Sequence, residues 1–233
     1  MRRVIIGLAT SGVSEDRQKV PSNLDGSYPA IDVEERTYLD GESVHFGTAA
    51  GRIDTQETDV HIDERGIHTE RVEGREVNVT DFICDPAAGW VGVDSSNGDW
   101  LFETLMGVWN ANILRCKLDV TAFAKHVDDQ DGNCWQIGYK HDLDDDDDDG
   151  QAKSGTMFHR DAHFGAGSGQ YTQFGYSYLF DDQFVRGTVA QSGYVAEFNA
   201  DNPEFFARWL KEEILPFCSV DEPPQTTISE VRR

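Results

Sequence analysis

DFICDPAAGWVGVDSSNGDWLFETLMGVWNANILRCKLDVTAFAKHVDDQDGNCWQIGYK (residues 81–140) holds four of the five tryptophans, Trp90, Trp100, Trp109 and Trp135, and three of the four cysteines. The bulkiest apolar side chains gather here, so this stretch is read as the core. Residues 90–93 predict a strand. Ser95-Ser96-Asn97-Gly98 predicts a turn, because Asn-Gly tolerates the positive φ that tight turns need. Leu101, Leu105, Val108 and Trp109 recur at the three-to-four spacing of one helix face, with Asp99 placed as an N-cap. Residues 113–118 read as a strand, residues 120–127 as a short helix capped by Asp119, and residues 133–139 as another strand. The run is β-α-β-α-β.

Outward from this core, residues 1–80 offer no helix. Short strands are expected at residues 3–9, 30–35, 43–47, 59–63 and 71–79, separated by Gly, Pro, Asn and Asp turns. In residues 58–66, Val60 and Ile62 alternate with His61 and Asp63, and Glu64-Arg65-Gly66 reads as a hairpin turn into Ile67. On the other side of the core, residues 173–180, 183–190 and 194–198 read as a meander. Asn202-Pro203-Glu204 starts a helix: an N-cap, proline at the first helical position and an acid at the positive end. Phe205, Phe206, Trp209, Leu210, Ile214 and Leu215 form its apolar face, and Pro216 stops it. The expected class is α+β: an antiparallel β-rich N-terminal part (residues 1–80), an α+β core (residues 81–218) that is either separate or continuous with it, and a disordered tail (residues 219–233).

Composition speaks to environment. There are 43 acidic and 20 basic residues, net −23; arginine (14) exceeds lysine (6) and aspartate (27) exceeds glutamate (16). Such a charge repels itself at low salt and is screened at high salt. Aspartate holds water and cations on a short stem, and few lysine stems leave less apolar surface to salt out. The chain resembles acidic cytoplasmic proteins of salt-in haloarchaea, of chromosomal or mobile-element origin. That resemblance rests on composition and on the general arrangement of strands and helices; it implies a salt-adapted cytoplasm and carries over no activity. The charge argues against phosphate-backbone binding, an argument that weakens at molar salt, where ionic attraction is weak for every protein. Arg2-Arg3 before a short apolar run reads as a first strand and not as an export signal, since Thr10 and Ser11 interrupt the run. No stretch approaches the roughly 20 apolar residues of a membrane span.

Few motifs carry chemistry. Cys84, Cys116, Cys134 and Cys218 show no C-x-x-C spacing and read as small apolar residues rather than a zinc site. Asp145, Asp147, Asp149 and Gly150 match the start of a calcium loop, but Thr156 stands where the bidentate Glu belongs, so residues 144–149 read as a solvated loop. His159, Asp161 and His163 are the best metal candidates, a set suited to zinc or iron in a hydrolase or oxygenase. On a strand, period two would place all three on one face; on a helix the two histidines would be neighbours at i and i+4. The glycines that follow favour a polar loop. The glycine-rich residues 165–169 lack the strand and helix of a phosphate cradle. Phe174, Tyr176, Tyr178 and Phe180 alternate, as a buried sheet face or as a base-stacking platform; the apolar helix that follows favours the former. The expected function is therefore a non-enzymatic binding or accessory protein working through protein contacts, without a cofactor. The alternative is a metal-dependent enzyme using zinc or iron on His159, Asp161 and His163.

Overall fold

The computed structural model describes residues 2–140, 154–158, 162–164 and 170–221. It is an α+β structure, mostly antiparallel sheet with three α-helices. The organising strand is β1 (Arg2–Ala9), whose apolar run is buried from Val4 to Gly7. Along one edge β1 pairs with β5 (Trp90–Val93). Along the other it pairs first with β12 (Tyr194–Glu197) and then with β6 (Ile113–Arg115), all antiparallel. On the β5 side the sheet continues through β4 (Gly66–Asp85) and β3 (Glu42–Asp63) to β2 (Ala30–Leu39). On the β12 side it continues through β11 (Gln183–Ala190), β10 (Gln170–Phe180) and β8 (Asn133–Lys140) to β9 (Ser154–Phe158). A separate pair joins β7 (Lys117–Leu118) to β13 (Cys218–Ser219), so Ser219, expected in the tail, lies in a strand; residues 222–233 lie outside the described residues.

Both faces of β1 are covered, which is why its apolar run is continuous and not alternating. Ile5 packs with Val91, Phe82 and the buried face of α1 (Trp100–Trp109). Val4 and Ile6 face the opposite layer, built on α2 (Val120–Asp129) and α3 (Pro203–Trp209). Two expected caps are present: Asp119 Oδ1 accepts from Ala122 N at 2.9 Å, and Asn202 Oδ1 accepts from Glu204 N at 2.8 Å. Asp99 makes no such bond. A 3₁₀ turn over Ser96–Gly98 runs directly into α1, so Asp99 is already helical (φ −65°, ψ −15°) and its side chain cannot turn back.

After α3 the helix widens into one π turn at Leu210–Ile214 and tightens to 3₁₀ at Leu215–Phe217. The aromatic alternation of β10 is core: Phe174, Tyr176, Tyr178 and Phe180 are buried, and Tyr176 stacks on Trp209 at 5.9 Å. Phe123 of α2 is the keystone of this layer. Its fully buried ring meets Tyr176 edge-on at 5.3 Å, Phe217 at 5.6 Å and Phe174 at 6.1 Å. Phe123→Ala is expected to cost about 3–5 kcal/mol, because three rings cannot collapse into the space left behind. Denaturant titration at molar KCl reads this; a loss below about 1 kcal/mol would contradict the packing described.

Candidate protein-interaction site

The residues expected to hold a metal do not come together in the described structure. His159 and Asp161 lie outside the described residues, as do Asp144–Asp149; His163 is described and exposed, beyond the end of β9. Among the described residues no three His, Cys, Asp or Glu side chains are grouped so as to hold a metal ion. Cys116 and Cys218 do meet, with sulfurs 3.5 Å apart beside β13, although the sequence gives them no motif; Cys84 is buried elsewhere.

Two polar clusters join elements inside the fold. In the first, Glu213 on the π turn accepts from Tyr178 Oη (2.9 Å) and Gln130 Nε2 (3.2 Å) and sits 2.8 Å from His126 Nε2, while Trp209 Nε1 donates to Tyr178 Oη at 2.8 Å. Burial, then the Glu213 charge, pushes the Tyr178 hydroxyl well above its ordinary range. This network ties α2 and β10 to the last helix. In the second, Lys211 Nζ donates to Glu42 Oε2 at 2.7 Å and lies 3.7 Å from Asp40. Burial alone would pull the Lys211 ammonium down, but the bond to Glu42 and the nearby acids more than offset it.

Beside it, Asp85 is fully buried, with Oδ1 accepting from Ala87 N and Ala88 N at 3.0 Å each. Burial, reinforced by Glu42, raises its carboxyl above the usual range despite those two N–H groups and Lys211. These clusters hold α3 and its extension to the sheet.

The most exposed feature is an arm. β3 is 22 residues long and β4 is 20, but β2 covers β3 only as far as Ala50 and β5 covers β4 only from Phe82. Beyond that, Ile53–Asp63 and Gly66–Glu76 pair only with each other among the described strands, a ribbon roughly 35 Å long at strand rise. Directly paired residues share a face. Val60, Ile62 and Ile67 lie on one face near the tip, half to three-quarters exposed. His61 and His68 lie opposite each other on the other face, 3.2 Å from Asp59 and 3.1 Å from Asp63 respectively. The turn uses Gly66 at φ +129°, open to glycine. The side-to-side alternation was legible in residues 58–66. Residues 43–47 and 59–63, expected as two strands, are one continuous strand, β3, and the strand expected at residues 71–79 lengthens to Gly66–Asp85, because each arm strand is held by its ladder partner and not by burial.

The root is fixed by aromatic contacts. The Trp100 ring lies flat on Gly51, where an added Cβ would sit 2.6 Å from it, and Trp100 Nε1 donates to Asn78 Oδ1 at 3.0 Å. The Arg52 guanidinium stands 5.1 Å over the Tyr28 ring. Tyr28, Pro29, Arg52, Trp100 and Glu103 line an open cleft of about 570 Å³ at this root. Trp, Tyr and Arg are the side chains that most often anchor protein–protein contacts.

No protein-family model and no curated protein sequence matches the chain. Among the described residues no helix is long and apolar enough to cross a membrane.

The Asp85 carboxyl provides a pH test. Its folded pKa is raised, so the stability it contributes is fully present below its unfolded pKa of about 3.9 and is lost as pH rises through the folded value. Asp85→Asn keeps an acceptor for Ala87 and Ala88 and removes that loss. The variant is expected to melt higher than the parent at pH 7 and to lose this advantage near pH 3.5. A variant less stable at pH 7 would show that the buried charge is compensated.

Proposed function

We propose that the protein is a non-enzymatic binding or accessory protein of a salt-adapted cytoplasm, working through protein contacts beside nucleic-acid machinery. One observation carries the reading: the β3–β4 arm projects roughly 35 Å with Val60, Ile62 and Ile67 exposed on one face. Isolated two-stranded ribbons are marginal in water. Scattered apolar residues on a surface are ordinary, but an apolar group at the end of a projecting ribbon is placed where another molecule can cover it. The cleft of Tyr28, Arg52 and Trp100 adds anchoring side chains at the root of the arm, where Trp100 lies on the opposite face of the ribbon, that of His61 and His68. The balance of charges fits protein contacts better than a phosphate backbone, since residues 52–77 carry eight acids against four arginines.

The test is capture of bound proteins on the tagged chain at molar KCl, with and without nuclease. A nuclease-resistant protein is expected. The double variant Ile62→Asp, Ile67→Asp should weaken its capture at least about tenfold, as loss of an apolar anchor does, whereas His163→Ala should leave it unchanged. Undiminished capture by the double variant would sink the arm as the contact surface. A nuclease-sensitive set would replace protein contacts with nucleic-acid association.

A further inference from the structure

The free edge of β4 carries its own complement, and we infer that two copies of the chain pair there, antiparallel, about a twofold axis through Val72. From Gly66 to Val79 β4 has β3 on one side and no other described strand on the other, so every second N–H and C=O along that edge lacks a ladder partner. A twofold axis at Val72 sets each residue opposite one of the second copy such that Val72 meets Val72. Arg71 then meets Glu73, Thr69 meets Arg75, His68 meets Glu76 and Ile67 meets Val77, each pair occurring twice. No like charges oppose each other in this register.

The neighbouring registers that keep the same faces together fail. Sliding one way puts Arg71 against Arg71. Sliding the other way puts Glu73 against Glu73 and Glu70 against Glu76. Opposed like charges destabilise a ladder and opposed unlike charges favour it. The edge of β3 is less suited: residues 52–63 hold four acids, one arginine and a histidine, while residues 66–77 of β4 hold three acids, two arginines and a histidine.

Burial and length agree with the pairing. Ile67, Val72 and Val77 are each about half exposed or more, at 71%, 45% and 48%, and each faces an apolar residue in the pair. The arm is long enough for its tip at Ile67 to reach the root of the second copy at Val77, so the two bodies sit at opposite ends of a shared ribbon. Two marginal two-stranded arms become one four-stranded sheet, the size at which a sheet is stable without a body beneath it. Each copy carries a net charge of −23, so the pair should form at molar salt, where the screening length is about 3 Å, and weaken as salt is diluted.

This inference rests on reading the arm as a contact surface and commits its β4 edge to a second copy. Light scattering on the purified chain at molar KCl is expected to give twice the mass of one chain. Val72→Pro removes a strand position in both copies and should weaken the pair by about 100-fold or more without changing the far-ultraviolet spectrum of the body. Val72→Cys should cross-link to itself on mild oxidation by a disulfide reagent, each bond consuming one thiol from either chain, while Thr69→Cys alone should not. A single-chain mass across the micromolar range overturns the inference, as does a dimer that survives Val72→Pro and leaves Val72→Cys uncrosslinked. Capture of a different protein by a monomeric chain would leave the proposed function standing and this pairing refuted. A dimer that captures nothing else would do the reverse.

Discussion

Strand β1 is hydrogen-bonded along both edges and covered on both faces, and the positions of the other elements follow from that. β5 fixes one edge; β12 and β6 share the other. Ile5 draws α1 onto one side, while Val4 and Ile6 draw the α2–α3 layer onto the other. A strand with no solvent face cannot slip by one residue without exchanging its two sets of neighbours, so the register of the central sheet is strongly specified. The arm root inherits this order, because β4 leaves the same sheet through β5 and Trp100 of α1 clamps it as it departs.

Charge is arranged around this core and seldom inside it. Where acids are buried they have donors: Glu197 accepts from Arg186 N at 2.9 Å, and Glu213 is ringed by Tyr178, Gln130 and His126. Asp85 takes two N–H groups on one oxygen, and in both Asp85 and Glu197 the second oxygen finds no donor. The π turn gives Glu213 its place. By widening the helix at Leu210–Ile214 it turns Glu213 inward while Lys211 reaches out to Glu42, so that one irregular turn serves both clusters.

The sequence made the local signals legible and left the long-range ones hidden. Asn202-Pro203 and Asp119 announce their helices because capping is a matter of a few adjacent atoms. The alternation of Phe174 to Phe180 announces a buried strand face because a helix of matching aromatics follows it. Asp99 misleads, since its role depends on the 3₁₀ turn before it. The arm was half legible: Val60 and Ile62 against His61 and Asp63 mark a ribbon with two unlike faces. That it stands free depends on β2 and β5 ending where they do, which no residue in the arm records. The meeting of Cys116 with Cys218 is likewise a product of the β7–β13 pair and is invisible in their spacing.

The central position of β1 also sets an order of events during synthesis. Ile5 pairs with Tyr194, so the strand that anchors the sheet is made about 190 residues before the neighbour that completes it. At about 5–20 residues per second, the Arg2–Ile5 part of the β12 edge waits roughly 10–40 s for its partner, while β5 and then β6 are made in between. The edges of β1 can therefore close only in the order in which their partners are made, β5 first, then β6, and β12 last.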